Sequence, residues 1–121
     1  MLLNDVKDVL EKFDRFVFYG LTPPVIRDEN GDEVDEWNYS VFNRTKLKNS
    51  INKTSYTDAF DVHIVREEFI PEGTDVELIE KLTALPGVRL AGDDGVFDYM
   101  LKPGTDHVVE MLTLSFVRAR K

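Results

Sequence analysis

The chain has 121 residues, 42% hydrophobic and 31% charged, and this length and composition favour one globular domain over residues 1–121. It contains no cysteine, which excludes disulfides, thiolate metal sites and a cysteine nucleophile and fits a cytosolic origin. Its net charge of −8 argues against a free-standing nucleic-acid binder, because phosphate contacts require an excess of Lys and Arg. Without a long apolar run or a basic region before a hydrophobic stretch at the N-terminus, we expect neither membrane insertion nor secretion.

Residues 2–17 predict an amphipathic helix, because apolar side chains recur every three or four residues with charged residues between them. Asn4 is a candidate for the N-terminal cap, and Gly20 with the two prolines that follow it must end the helix. Residues 16–19 are aromatic and branched enough to form a strand already, so the end of the helix stays open by several residues.

The next part of the chain predicts a loop and then a long hairpin. Residues 27–36 are acidic and almost without apolar side chains, so we expect an exposed loop. Alternating runs at residues 37–42 and 56–64 flank a polar stretch and predict two long antiparallel strands joined at a basic tip. Because few buried partners are available for its far end, the hairpin is expected to project beyond the body of the sheet.

The second half of the chain predicts a helix and further strands. Residues 74–77 have the T-x-x-E form of a capping box, and Pro86-Gly87 should end the helix that begins there. Residues 88–91 and 96–101 predict strands, and residues 107–119 predict the clearest strand of all. The full order predicts an α+β domain, with a mostly antiparallel sheet, two helices packed on one face and the long projecting hairpin.

Charge is unevenly distributed along the chain. Residues 28–36 contain six carboxylates and no base, whereas residues 44–53 contain four bases and no acid. Such a contrast could let one copy dock against another. The candidate interface residues are Asp28, Asp32, Asp35, Arg44, Lys46, Lys48 and Lys53. For either segment alone, the favoured interpretation is simpler: a solvated acidic loop and a solvated basic hairpin tip.

The sequence contains no recognisable catalytic or metal-binding set. His63 and His107 lie in different predicted strands without a second histidine or carboxylate at metal-ligand spacing, so both are interpreted as ordinary strand residues, His63 on the more polar face. Residues 28–32 depart from a calcium loop in the position of the glycine, which leaves weak, non-specific divalent-ion binding as the alternative. Glu67 and Glu68 are adjacent in a strand and point to opposite faces, so they cannot serve one substrate atom. We expect no catalysis, no metal and no cofactor.

Four segments have a layout typical of one protein family. They are the N-terminal helix leading into VFYGLTPP (residues 17–24), the hairpin of residues 38–65, the segment of residues 67–90 and the closing strand of residues 108–121. In this layout, which covers nearly the whole chain, the sequence resembles the tail-terminator and tail-completion proteins of long-tailed phages, small α+β subunits that cap the tail tube and join it to the head. The acidic stretch of residues 28–36 has no place in that pattern.

The resemblance implies a structural protein without catalysis. Members of this group form homo-oligomeric rings, commonly hexameric, around the passage that carries DNA, so the expected partners are further copies, the tail tube protein and the head–tail connector proteins. DNA would pass through the ring without specific binding. The implied location is the virion, at the tail–head junction, after assembly in the cytoplasm of a bacterial host.

Features of the residues agree with ring formation at three points. A long hairpin can add strands to the sheet of a neighbouring subunit. Acidic and basic segments on opposite sides of a subunit could meet around a closed ring. Excess negative charge could line a lumen that repels DNA and lets it slide.

Two other classes of function stay open. An adaptor or regulatory module could use its acidic face to occupy a basic partner, and loss of binding on neutralising Asp28, Asp32 and Asp35 would favour it. A small hydrolase or metal-dependent enzyme would have to depend on His63 or His107.

Overall fold

The computed structural model describes residues 2–49, 56–92 and 95–120. In chain order the elements are α1 Leu2–Leu10, β1 Val17–Tyr19, β2 Ile26–Arg27, β3 Glu33–Val34, β4 Tyr39–Asn49, β5 Tyr56–Glu67, α2 Thr74–Thr83, β6 Val88–Leu90, β7 Val96–Leu101 and β8 Val108–Arg120. In this part of the chain one six-stranded sheet has the order β1-β4-β5-β8-β6, with β7 also paired to β8, and β2-β3 form a separate hairpin. Only the β1–β4 pair is parallel there. The predicted α+β class, with two helices and a mostly antiparallel sheet, is confirmed.

The two predicted long strands, β4 and β5, pair antiparallel from Tyr39 opposite Val65 to Asn49 opposite Tyr56. Their connection, residues 50–55, lies outside the described residues. Strand β8 pairs with β5 along its whole length, ending with Tyr56 opposite Arg120. The predicted projection of the hairpin is therefore not confirmed, because β8 flanks β5 over the part of the hairpin that is described.

The main core lies between the helices and one face of the sheet. Alternate residues of β5 and β8 point to this face, which we call the helix side, and their stacked rings Phe60 and Phe116 lie 5.4 Å apart between centroids. The helices contribute side chains with no exposed surface to this core: Val6 and Leu10 of α1, and Leu78 and Leu82 of α2. Full burial of each such side chain contributes roughly 1.5–3 kcal/mol, which fixes both helices on the sheet.

The other face, which we call the open side, carries a smaller core at one end. Tyr39, Val41 and Val65 pack there with Ile26 of β2, and Val34 of β3 packs against the same cluster. The prediction of a simple exposed loop at residues 27–36 was thus wrong in part. Ile26 pairs with Val34 in a short hairpin, because these two side chains supply the apolar surface that anchors it.

Neither predicted helix cap is present. Asn4 lies inside α1, which already includes Leu2, so it does not cap the helix. At α2 the N-cap is Gly73, with φ of 90° and no side-chain cap bond, and Thr74 is the first helical residue. The predicted start of the helix is right, but the capping box is wrong, because glycine takes a left-handed conformation at the cap and displaces threonine by one position.

Candidate subunit-interface surfaces

His63 lies on the open side of the sheet in a polar row across three strands. Its Nε2 is 3.0 Å from Asn43 Oδ1 of β4, and its Nδ1 is 2.9 Å from Thr113 Oγ1 of β8. In the next row Ser115 Oγ donates to Asp61 Oδ1 at 2.7 Å. Burial lowers the pKa of His63, while the charge of Asp61 acts in the opposite direction. The row links neighbouring strands, and the imidazole faces an amide oxygen and a hydroxyl, which is consistent with the predicted polar face.

The other histidine lies elsewhere. His107 Nδ1 is 3.6 Å from Glu67 Oε2, and its side chain is exposed. Among the described residues no group of three or more His, Asp or Glu side chains is placed to hold a metal ion. The two histidines thus have different neighbours. The predicted strand position is right for His63 and wrong for His107, which directly precedes β8.

A fully buried serine is tied to an acid and a base between α1 and the sheet. Ser40 Oγ donates to Asp14 Oδ2, and Asp14 Oδ1 lies 2.9 Å from Arg66 Nη1. Ser40 has no exposed surface, so a substrate cannot reach its hydroxyl. The contacts join the chain that follows α1 to β4 and β5.

The described basic candidates, predicted at the hairpin tip, lie within the second half of β4 and do not share one face. The pairing of β4 with β5 shifts register between Arg44 and Lys46, which indicates a β-bulge. Arg44 is opposite the core residue Phe60 and therefore on the helix side, whereas Lys46 and Lys48 are on the open side. Arg44 Nε also donates to Tyr19 Oη at 3.0 Å. Lys53 lies outside the described residues.

In the acidic segment, residues 28–36, several carboxylates are engaged by their own chain. Asp28 Oδ1 accepts hydrogen bonds from the backbone N–H groups of Asn30 and Asp32, at 2.9 and 3.0 Å, and this closes the β2–β3 turn. Glu29 pairs with Arg15, and the hydrogen bond with this guanidinium lowers the pKa of Glu29. Asp28 and Glu29 thus organise the segment itself.

Asp35 connects the acidic segment to the β7–β8 turn. Its Oδ2 lies 2.8 Å from Lys102 Nζ, and its Oδ1 accepts a hydrogen bond from Trp37 Nε1 at 2.9 Å. The hydrogen bond from Lys102 is the main cause that lowers the pKa of Asp35, and the same contact raises the pKa of Lys102. Of the three acidic candidates, Asp28 and Asp35 are engaged through their side chains, and Asp32 through its backbone.

The structure does not bring the acidic and basic candidates together within one copy. The acidic segment precedes Tyr39 at the start of β4. Arg44 lies at the middle of this 11-residue strand, and Lys46 and Lys48 lie toward its other end. At about 3.3 Å per residue, these bases lie roughly 16 to 30 Å along the strand from Tyr39. Docking of the acidic segment on these bases would therefore have to occur between copies, and it stays a prediction.

Strand β7 is a surface that sequence reasoning missed. All six of its residues are exposed, and its five apolar side chains retain between 45% and 64% of their accessible surface. They are Val96, Phe97, Tyr99, Met100 and Leu101. One side of β7 pairs with β8, and no strand of the described chain pairs with its other side. The signal in the sequence was the run VFDYML, which is apolar on both faces, a pattern typical of a strand covered on both sides.

A groove of about 340 Å³ lies beside β7, near the start of α2. Its lining includes the aromatic rings of Phe69, Phe97 and Tyr99 and the carboxylates of Glu72, Asp75 and Glu110. Phe69 is 63% exposed, and Glu110 accepts a hydrogen bond from the backbone N–H of Ile70 at 2.8 Å. A hydrogen bond with Glu110 also raises the pKa of Tyr99. The apolar edge thus has an acidic rim on the helix side.

Comparison with known proteins does not assign a family to this chain. No family model matches this chain, and no match is found among curated proteins. Neither of the helices in the described ranges has the length and apolar character needed to cross a membrane.

Proposed function

We propose that the protein is a non-catalytic assembly subunit whose copies associate through the edges of the sheet. More specifically, we propose a tail-terminator or head–tail joining role in a long-tailed phage, with a ring of copies, commonly six in this group, between the tail tube and the head connector. The single observation that carries self-association is the exposed apolar strand β7.

The composition of β7 supports this proposal because edge strands are normally protected. Proteins discourage strand addition with Lys, Pro, bulges or very short edges. Strand β7 has six residues, neither Lys nor Pro, and an unbroken register with β8 from Val96 opposite Thr113 to Leu101 opposite Val108. Covering its apolar side chains would contribute about 25 cal/mol for each Å² removed from water.

The sheet also supports a ring rather than a simple pair. The edge that carries β7 differs in sequence and charge from the edge formed by β1 and β4. When two unlike edges meet, the contact is heterologous, and a repeated heterologous contact closes into a ring when the rotation allows. The net charge of −8 on each copy would repel DNA in the central passage.

The phage assignment draws its support from the layout of the elements. The order of helix, long β4–β5 pair, helix and closing strand β8 is the arrangement on which the resemblance to tail terminators rests. The alternative of an acidic adaptor has less support, because Glu29 and Asp35 already pair with Arg15 and Lys102. Location in the virion and contact with tail tube and connector proteins belong to this proposal.

Light scattering combined with negative-stain images across a concentration series tests the proposal. We expect ring-shaped particles of one regular size, alone or on added tail tubes. Replacing Phe97 and Tyr99 by Lys should abolish them, because the contact then loses two aromatic side chains and would have to remove two charges from water. Leu21→Lys changes an equally apolar but more exposed side chain outside any strand and should leave the particles intact. A protein that stays monomeric at every concentration and does not bind tail tubes would refute the proposal.

A further inference from the structure

The edge of the sheet opposite β7 is also partly free. Strand β1 covers β4 only as far as Phe42, whose carbonyl accepts a hydrogen bond from Gly20 N–H at 2.9 Å. Beyond it, no strand of the described residues pairs with that side of residues 44–49, which we call distal β4. Leu47 is 57% exposed there, and the side chains of Arg44, Lys46 and Lys48 are exposed around it.

We propose that distal β4 of a second copy is the strand that covers β7. The inference rests on the proposed function, because it takes self-association as given, and it names the two surfaces that meet. Strand β7 and distal β4 each have six residues, so main-chain hydrogen bonds can form along most of their length.

The directions of the strands fit this pairing. Strand β4 is antiparallel to β5, β5 to β8, and β8 to β7, so β4 and β7 run in opposite directions. In one copy Tyr39, not distal β4, lies level with Asp98 across the sheet, because both are in register with Val65 and Met111. A second copy in the same orientation, shifted by six to eight residues along the strands, therefore brings its distal β4 antiparallel to β7. Antiparallel ladders are slightly more stable per residue than parallel ones, and the helices of both copies stay on the same side.

On the helix side the pairing joins apolar surfaces. Phe97 is opposite the core residue Leu112, so Phe97 and Tyr99 point to the helix side of β7. Leu47 is opposite Asp58, which shares its face of β5 with the core residues, so Leu47 also points to the helix side. In the second copy Leu47 thus meets the aromatic groove beside β7.

On the open side the pairing joins opposite charges. Lys46 is opposite Ala59 and Lys48 is opposite Thr57, which places both lysines on the open side of distal β4. Asp98 of β7, opposite Met111, points to the same side. When Leu47 of one copy lies opposite Tyr99 or Phe97 of the next, one of the two lysines lies opposite Asp98. Opposite charges in such cross-strand pairs contribute roughly 0.2–1 kcal/mol.

The charges around the groove agree with the same choice of partner. Among the described residues, three carboxylates and no base line it, and Arg44 is the base of distal β4 that points to the helix side. Two copies of β7 facing each other would instead bring like charges together, because each copy carries Asp98 and the acidic rim. The complementarity therefore favours the contact of unlike edges, in which each copy uses β7 toward one neighbour and distal β4 toward the other.

Cysteine cross-linking tests the contact directly, because the natural chain has no cysteine. Leu47→Cys is mixed with Tyr99→Cys and, separately, with Phe97→Cys, under mild oxidation at a concentration at which the wild type associates. We expect a covalent dimer in at least one mixture and none in any single variant, since residues opposite each other in adjacent strands lie within reach of a disulfide. Val76→Cys mixed with Leu47→Cys is the matched control and should stay uncross-linked.

Two outcomes would overturn the inference while leaving the proposed function in place. They are a wild type that associates but gives no cross-link in either mixture, and a dimer formed by Tyr99→Cys or Phe97→Cys alone. A wild type that never associates overturns the inference together with the proposed function. The two failures are therefore distinguished by the light-scattering mass of the wild type.

Charge reversal gives an independent readout. Lys46→Glu with Lys48→Glu should weaken self-association by roughly tenfold or more, because like charges then face each other across the contact. Adding Asp98→Lys to that variant should recover most of the loss. Reversing the exposed Lys7 and Lys12 near α1 changes net charge equally and should have a much smaller effect. Equal weakening by both pairs of reversals, or no recovery with Asp98→Lys, would contradict the proposed contact.

Discussion

Arg66 Nη1 lies 2.9 Å from Asp14 Oδ1, in a pair whose side chains retain only 12% and 4% of their accessible surface. The same carboxylate accepts a hydrogen bond from the hydroxyl of Ser40. Arg66 Nη1 also donates a hydrogen bond to the carbonyl of Val65 at 2.8 Å. One carboxylate thus holds the chain leaving α1 against two neighbouring strands. Because its partners are buried, its removal leaves polar groups that water cannot easily reach.

We predict that Asp14→Ala lowers the free energy of unfolding by about 3–5 kcal/mol, the range found when one partner of a buried ion pair is removed. Urea unfolding at neutral pH measures the change. Asp8→Ala, at an exposed position of α1, is the matched control and should change stability by less than about 0.5 kcal/mol. A loss at Asp14 no larger than at Asp8 would show that the buried cluster does not stabilise the fold.

The stability of the fold should depend on pH through His63. Burial lowers the pKa of this imidazole below its ordinary value of 6.5, so the folded chain holds it neutral where the unfolded chain begins to protonate it. The unfolded state then binds more protons, and the free energy of unfolding decreases as the pH falls below about 6.5. Above that pH the imidazole is neutral in both states, and this loss of stability is absent.

Urea unfolding at pH 7.5 and pH 5.5 tests this dependence. The decrease between the two values should be smaller in His63→Gln, whose amide can still bond with Asn43 and Thr113 but does not titrate. If the variant and the wild type lose the same stability between these pH values, the imidazole is not the source.

How far the sequence determines the fold can be judged from single strands. The faces of β8 were predictable, because alternation along Leu112, Leu114 and Phe116 is a local property with a period of two. The pairing of β8 with β5 was not predictable, since it joins segments far apart in the chain and depends on the packing of all other elements. The bulge after Arg44, which places Lys46 and Lys48 on the other face, likewise leaves no clear signal in the composition.

The candidate interface was predictable only in part. The basic run of residues 44–48 was predicted at the tip of the hairpin, whereas it lies within β4, which continues to Asn49. The acidic segment was treated as free charge, whereas Asp35 pairs with Lys102, a residue that only the folded topology brings near. Strand β7 was predicted as a strand, but its exposure depends on what lies beside it, and local patterns contain no such information.

Glu68 has a backbone conformation that favours glycine. Its φ is 70°, the one positive value outside glycine among the described residues, and its N–H donates to the carbonyl of Val108 at 2.7 Å. A left-handed conformation costs a residue with a side chain about 1–2 kcal/mol, and the greater freedom of unfolded glycine offsets about half of this. We therefore expect Glu68→Gly to raise the free energy of unfolding by about 0.5 kcal/mol.

The branched variant Glu68→Val supplies the opposite change and should lower stability by about 1 kcal/mol or more. Glu72→Gly, at an exposed position without a positive φ, is the matched control and should not stabilise. Thermal and urea unfolding of the three variants provide the comparison. Stabilisation by valine, or equal effects of glycine at both positions, would contradict the argument from φ.

Gly95, directly before β7, is packed too closely against the core to accept a side chain. A Cβ atom there would lie 2.8 Å from Leu114 Cδ2 and 2.9 Å from Leu112 Cδ1, both on side chains that are almost fully buried. Gly95→Ala should therefore lower the free energy of unfolding by about 1–3 kcal/mol, the usual cost of an added methyl group in a packed core.

A double-mutant cycle separates this clash from a general effect of losing glycine. Leu114→Val removes the δ-methyl groups and should cost about 1 kcal/mol alone, as expected for a small deletion in a core. Combined with Gly95→Ala it should lose less than the sum of the two single changes, because the shorter side chain makes room for the new methyl. Gly104→Ala, whose Cβ would meet no atom within 4 Å, should show no coupling with Leu114→Val. Strict additivity at Gly95 would mean that the leucines move aside freely and that the close approach does not constrain the start of β7.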